Sequence, residues 1–181
     1  MQPTPRCTHP KLRNPSIVIY NVPEEITKEN AEEIIATQNP ELNLREGDVK
    51  PKFITKGRRN TRNLVVKVEP LVRRKIFKTK LKIGWHICNT EDYVVVNRCS
   101  KCSGYNHRAS DCRGVETCPL CAGGHKLKDC LTPAKDYKCA NCIKFNKYNN
   151  NAQVCEKHSS LDQNCCSLQA MVLKYKQNTE Y

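Results

Sequence analysis

Cys99-Ser-Lys-Cys102-Ser-Gly-Tyr-Asn-His107-Arg-Ala-Ser-Asp-Cys112 and Cys118-Pro-Leu-Cys121-Ala-Gly-Gly-His125-Lys-Leu-Lys-Asp-Cys130 are two copies of one pattern, their first cysteines 19 residues apart. Each supplies three thiols and one imidazole within a dozen or so residues, enough for a closed tetrahedral Zn2+ shell. A closed shell keeps no open position for a reacting water, so such a metal is structural. After the histidine both copies continue with a base, two residues, aspartate and cysteine, which marks a tandem array of small modules. Gly104, Gly123 and Gly124 precede the histidines, where the chain is expected to turn tightly around the metal.

A third cluster follows. Cys139-x2-Cys142 is a metal hook, and His158 with Cys165 is the favoured completion. Cys155-x2-His158 is a competing pair, and Cys166 adjoins. The Asn/Lys-rich stretch 144–151 reads as a long loop between the two halves. Residues 166–181 read as a short helix carrying Leu168, Met171, Val172 and Tyr175, fraying toward the end. No part of this half has enough apolar residues for a core, so metal binding is expected to supply its folding free energy.

The chain has 181 residues, thirteen of them cysteine, and a formal net charge of +13. An odd cysteine count, x2 pairs with a nearby histidine, and a start lacking an apolar segment argue against a secreted disulfide scaffold and for an intracellular, reducing compartment with zinc. Apolar runs are too short to span a membrane. The charge favours nucleic acid or an anionic surface as partner and leaves the fold open.

Residues 1–14, with Pro3, Pro5 and Pro10, read as a disordered leader. Residues 15–97 read as an α+β domain. Ile17-Val-Ile-Tyr20 is a strand ended at Asn21-Val-Pro23; Thr27 is a helix N-cap, and the helix runs from Asn30 to a break at Asn39-Pro40. Strands are expected at 49–55 and 64–68. Pro70 fits the first turn of a second helix burying Leu71, Val72, Ile76 and Phe77. Residues 82–87 read as a fourth strand with Trp85 in the core, and 93–96 as an extended lead into the first metal motif. The order β-α-β-β-α-β is ferredoxin-like, an arrangement that RNA-recognition motifs share. Three Cys/His modules at 98–113, 117–131 and 138–166 and a tail at 167–181 complete the expected organisation.

Charge is uneven in the first domain. Between Val49 and Lys82 stand thirteen Lys/Arg and a single acid, Glu69, whereas Glu24 to Glu33 holds five acids and only Lys28. Lys56, Arg58, Arg59 and Arg62 crowd a loop suited to phosphates. Lys101, Arg108, Arg113, Lys126 and Lys128 lie among the metal ligands, with Tyr105 available to stack on an unpaired base. No module has the spacer that houses a duplex-reading helix. The first and third strands carry no aromatic at the positions where recognition motifs stack bases, so stacking on this sheet is expected to be weak.

The junction Ile83-Gly-Trp85 through Tyr93-Val-Val-Val-Asn-Arg-Cys99 into Lys101-Cys-x-Gly-Tyr105-x-His107 resembles the gag-like, CCHC zinc-knuckle protein of the first open reading frame of arthropod non-LTR retrotransposons. Asn14-Pro-Ser-Ile-Val-Ile-Tyr-Asn-Val-Pro23 and His158-Ser-Ser-Leu-x3-Cys165 are similar to the same group, and the resemblance covers about residues 14–181. It implies an RNA-binding protein that coats its own element's transcript, self-associates into ribonucleoprotein particles and chaperones annealing. It also implies metal roles for Cys99, Cys102, His107, Cys112, Cys118, Cys121, His125, Cys130, Cys139, Cys142, His158 and Cys165. The chain departs from the group at Ser100, Asn106 and Cys166. Relatives tend to carry a long polar or coiled-coil region ahead of this domain, so a fragment or decayed copy is expected.

Two binding readings therefore compete: a zinc-dependent binder of single-stranded RNA or DNA from its own retroelement, and a host zinc-knuckle protein acting as a protein-interaction or general RNA-binding adaptor. Steep salt dependence belongs to the first. An enzyme has no support in the sequence: it offers no glycine-rich phosphate loop, incomplete metal shell or recognisable carboxylate pair, and no small-molecule substrate is expected.

Overall fold

The computed structural model describes residues 12–57, 61–149 and 152–181. Their backbone divides into two compact units, one of residues up to 94 together with 176–181, the other of residues 95–175.

In the first unit, β1 (Ser16–Val22), β2 (Val49–Lys56), β3 (Arg62–Val68) and β6 (Thr90–Asp92) form one antiparallel sheet in the order β2-β3-β1-β6. Ile17, Ile19, Leu64, Val66 and Val68 alternate onto one face and are buried against Ala31 and Ile35 of α1 (Ala31–Gln38) and Val72 and Ile76 of α2 (Pro70–Lys78). The period-2 alternation of strand side chains meeting a helical stripe makes this the apolar core.

The helix starts follow local chemistry. Thr27 N–H donates to Asn30 Oδ1 and Asn30 N–H returns to Thr27 Oγ1, so Thr27 caps a turn and α1 begins one residue after Asn30. Pro70 opens α2 with its fixed φ, as expected. Asn39 is buried at the end of α1 and fully engaged. Its amide nitrogen donates to the carbonyls of Ile35 and Lys82 at 2.8 Å, and its oxygen accepts the Lys82 N–H at 2.8 Å. This one side chain ties α1 to the strand that follows α2.

Four expectations need correction. The stretch expected as one strand at 82–87 is a hairpin, β4 (Leu81–Ile83) and β5 (His86–Cys88), and the fourth place in the main sheet goes to β6. Gly84, at φ +61°, makes the two-residue turn; Leu81, Ile83 and Cys88 enter the core while Trp85 sits at the tip, fully exposed. In α2 only Val72 and Ile76, four residues apart, face the core; Leu71 is 70% exposed, and Phe77 lies outward with the Arg73 guanidinium 4.5 Å over its ring. Arg73 also pairs with the Asp92 carboxylate through two hydrogen bonds, which fixes β6 against α2. Finally, Arg13, expected in a disordered leader, bridges Thr179: its N–H donates to Asn178 O and its carbonyl accepts the Glu180 N–H. Residues 1–11 of that leader lie outside the described residues.

Ile76→Ala is expected to cost the first unit about 2–5 kcal/mol, and Leu71→Ala within about 0.5 kcal/mol, measured by urea titration with hydrogen exchange at the β1 and β3 amides.

In the second unit, short 3-10 turns at Ala109–Asp111 and Leu127–Asp129 occupy equivalent places in the first two motifs. Residues 144–148 are not a loop: they belong to α3 (Ala140–Tyr148), which starts immediately after Cys139. Asn150 and Asn151 lie outside the described residues. The tail forms α4 (Cys166–Gln177), longer and more regular than expected. Among the described residues, no helix is long and apolar enough to cross a membrane.

Candidate metal centres and basic surfaces

Three Cys3His sets assemble in the second unit: Cys99, Cys102, His107 and Cys112; Cys118, Cys121, His125 and Cys130; Cys139, Cys142, His158 and Cys165. Within each set all four donor atoms lie within 4.8 Å of one another. A tetrahedral zinc with Zn–S near about 2.3 Å and Zn–N near about 2.0 Å separates its ligands by about 3.8 Å for sulfur pairs and about 3.5 Å for sulfur–nitrogen pairs. The second set shows Cys121–Cys130 at 3.8 Å and Cys121 Sγ to His125 Nε2 at 3.5 Å. The third shows Cys139–Cys165 at 3.6 Å, Cys142–Cys165 at 3.5 Å and Cys142 Sγ to His158 Nε2 at 3.5 Å. In the first, Cys102 Sγ and His107 Nε2 are 3.2 Å apart. The donor sets fit zinc, and the chain positions three Cys3His sites to bind metal ions. The twelve described cysteines are free thiols, and Cys155 and Cys166 are exposed and outside the third set. The structure brings His158 and Cys165, the favoured completion, to Cys139 and Cys142.

Local backbone builds the first two sites. The left-handed residues of the turns are Ser103 (φ 59°) and Ala122 (φ 62°), with Asn106 (φ 66°) a further one, rather than the glycines. Gly104 and Gly123 serve clearance instead. A Cβ on Gly104 would lie 3.3 Å from Cys102 Sγ and from the His107 ring, and one on Gly123 would lie 2.9 Å from the His125 ring. Gly124 has open space around it.

Hydrogen bonds around the ligands set their protonation. His107 Nδ1 is 3.0 Å from the Tyr105 carbonyl, so its N–H donates there and Nε2 turns its lone pair to the cluster. Amide N–H groups of Lys101 and Gly104 donate to Cys99 and Cys102 sulfur at 3.4 Å. The Ser167 hydroxyl donates to Cys142 Sγ at 3.2 Å. Burial pushes the Cys99 thiol up, but the Cys102 and Lys101 amides and neighbouring thiols bring it down to about 7. The hydrogen bond from His125 lowers Cys130 to about 6. Cys165 is raised by burial yet drawn down to about 7 by His158 and the Leu168 amide. Burial drives Cys142 the other way, to about 12. Each site thus holds a sulfur poised as thiolate, the form that binds metal. A depressed value favours binding above it, and that contribution is lost as pH falls through it. Zinc affinity at the second site is therefore expected to weaken as pH falls through about 6, read by competition with a chromogenic chelator.

Thr117 joins the first two motifs directly, its N–H donating to Lys101 O and its carbonyl accepting the Ser103 hydroxyl, and further hydrogen bonds tie both to the third. Lys138 N–H donates to Leu120 O and Ser160 N–H to Pro119 O, which attach the second motif. Asn141 Nδ2 donates to Ser103 O at 2.8 Å, Arg98 donates to Ser160 O, and the Tyr105 hydroxyl lies 3.9 Å from Cys165 Sγ, which attach the first. Ser160, fully buried, accepts the Ala140 N–H at the start of α3 and donates to Cys139 Sγ.

The expected nucleic-acid contacts fall in separate places. Lys56 and Arg62 pair across the base of the β2–β3 loop, closed by Gly57 N–H to Thr61 O; Arg58 and Arg59 lie outside the described residues. Lys101, Arg108, Arg113, Lys126 and Lys128 are all exposed in the first two motifs, while Tyr105 is half-buried with its hydroxyl turned to the third site.

One surface was not anticipated. Phe53 pairs with Val65 in register, and Val18 with Val65, so these three share the sheet face opposite the helices. Phe53 and Tyr93 make an edge-to-face contact there, ring centroids 5.6 Å apart. Lys50 and Lys67 are register partners on the same face, and Lys52 Nζ reaches Ser16 Oγ at 3.1 Å. The aromatics come from β2 and the segment after β6, whereas the recognition-motif pattern looks for them on β1 and β3. The alternation Lys50-x-Lys52-Phe53 was the available signal, blurred by a bulge between Pro51 and Phe53.

No protein-family model matches the chain, and no solved structure matches it. Among curated proteins it is similar to an uncharacterized 50 kDa protein in the type I retrotransposable element R1DM of Drosophila melanogaster, 25% identical over 136 residues. The match takes in 71% of this chain and 28% of that protein, so the chain spans only a minor part of its relative's length. This is a distant relationship to a retrotransposon-encoded protein.

Proposed function

We propose that this protein is a zinc-dependent binder of single-stranded nucleic acid, a gag-like protein that binds the RNA of its own retroelement, packages it in ribonucleoprotein and assists strand annealing. The observation that carries the reading is the second unit. Its three Cys3His sets fill every metal position with protein ligands, so the metals organise a surface rather than a reaction. That surface is cationic: residues 95–175 hold twelve Lys/Arg against six Asp/Glu. The balance stays positive when each loaded site, Zn2+ with three thiolates, is counted as one negative charge. Bases grip phosphates whatever the sequence, and exposed aromatics add base stacking.

The first unit fits the same role. We take its element order and its β2-β3-β1-β6 sheet as a ferredoxin-like, degenerate RNA-recognition-motif domain whose open face carries Phe53 and Tyr93 among Lys50, Lys52 and Lys67. The CCHC knuckle identity of the motifs, their partner in single-stranded RNA or DNA and self-association belong to this reading, as does the retrotransposon context of the relative.

The test is fluorescence anisotropy of zinc-loaded full chain with a short labelled single-stranded RNA across a salt series. Neutralising about four phosphates gives a slope of about −3 for log K against log salt. Cys102→Ser with Cys121→Ser is expected to lower affinity and flatten the slope. Unchanged affinity would place binding in the first unit. Salt-independent binding, or none, would favour a protein-gripping adaptor and sink the proposal.

A further inference from the structure

Within the second unit a groove of about 860 Å³ runs between the first metal site and helices α3 and α4. That size lies within the range of about 300–1,000 Å³ typical of ligand sites. Tyr105 and His107 of the first motif form one wall; Ile143, Phe145 and Tyr148 of α3 and Met171 of α4 form the other. Lys144 and Lys174, both exposed, stand at its lips, and no carboxylate lines it. Tyr148 is 71% exposed, with Lys147 Nζ 6.0 Å from its ring centroid, so a cation is already drawn to this aromatic face.

We propose that this groove takes an unpaired base of single-stranded nucleic acid, stacked against Tyr148, with the adjoining phosphates on Lys144 and Lys174. The inference rests on the reading of the chain as a single-stranded nucleic-acid binder, and it moves the stacking residue from Tyr105 to Tyr148. Tyr105 has its hydroxyl turned to Cys165 and serves the wall; Tyr148 presents its ring. Charge selects the occupant. An apolar rift with lysines at its lips and no acid suits a flat ring flanked by phosphates. The lysines at its lips would repel the cationic surface of a second copy from this groove.

The groove is also fixed by metal. One wall hangs on Cys102 and His107, the other on Cys142 and Cys165, and Asn141 to Ser103, Tyr105 to Cys165 and Arg98 to Ser160 hold them in register. An RNA site made of two metal sites exists when both are loaded, which ties nucleic-acid affinity to zinc more steeply than independent modules would.

The experiment uses the zinc-loaded full chain and a short single-stranded RNA with one 2-aminopurine, whose fluorescence is quenched on stacking. Wild type is expected to bind and quench. Tyr148→Ala is expected to bind about tenfold more weakly and to lose the quenching, with three zincs retained by native mass spectrometry. Lys144→Ala with Lys174→Ala alters exposed side chains alone and is expected to reduce the salt slope by about 1.4. Wild-type binding with unchanged affinity and quenching in Tyr148→Ala, and unchanged slope in the double variant, overturns the groove assignment and leaves the parent reading standing. Failure of wild type to bind RNA overturns both. Should Tyr148→Ala lose zinc, the double variant decides.

Discussion

Stripped of zinc by a strong chelator, the full chain is expected to lose amide protection throughout residues 95–175 while β1, β3 and the core helices keep theirs. The reason is the difference between the two cores. The first unit buries a contiguous apolar cluster from Ile17 to Cys88, with Ile19, Ile35, Leu64 and Ile76 essentially without solvent contact. In the second unit the buried apolar side chains among the described residues are cysteines alone: Cys99, Cys118, Cys139, Cys142 and Cys165. Around the third site only Val154 and Leu168 pack, and both are partly exposed. Such a body has too little apolar area to offset chain entropy, and structural zinc contributes about 10–16 kcal/mol per site in finger-sized modules. Hydrogen exchange with mass readout distinguishes the outcomes. Retained protection in 99–165 after complete zinc removal would show a core the buried residues do not provide.

The second large effect concerns the third site. Cys142→Ser is expected to remove one zinc and to disturb all three modules, whereas Cys121→Ser removes one zinc and leaves the first and third sites as they were. Cys142 is buried, accepts the Ser167 hydroxyl at the start of α4 and faces Cys165 and His158. Its loss frees α3 and α4, and with them Asn141, Ser160 and Lys138, which hold the first and second motifs. Cys121 contacts its own ligand partners and lies at the periphery of this network. Amide shifts at Ser103 and Leu120 report the difference. In Cys142→Ser both move, with stability falling by about 10 kcal/mol for the lost site. Shifts confined to residues 139–165 would mean that the modules are independent beads.

These expectations separate what could be read along the chain from what could not. The ligands of the first two sites were legible because a metal shell built within a dozen residues is a local problem of spacing and ligand chemistry. The third set was legible as a favoured choice, and the structure gathers Cys139, Cys142, His158 and Cys165. The strands at 16–22, 49–56 and 62–68 and the start of α2 at Pro70 followed from β-branched runs and proline chemistry. Trp85 misled because a large aromatic is an apolar residue by composition, and only the Gly84 turn puts it at a hairpin tip. The stretch 144–148 misled because Asn and Lys have weak local preferences, and the metal hook at Cys139 and Cys142 fixes the first turn of α3.

The sequence by itself determined the metal chemistry, the cationic character and the division into an apolar-cored half and a metal-cored half. All three depend on residue type and short spacing. Tertiary structure alone decided which strand takes the fourth place in the sheet, that Phe53 meets Tyr93, and that the third module gathers the other two around a groove. Those outcomes depend on contacts between residues distant in sequence, such as Asn141 with Ser103, Ser160 with Pro119 and Arg73 with Asp92. Their partners are chosen by geometry that no local pattern encodes.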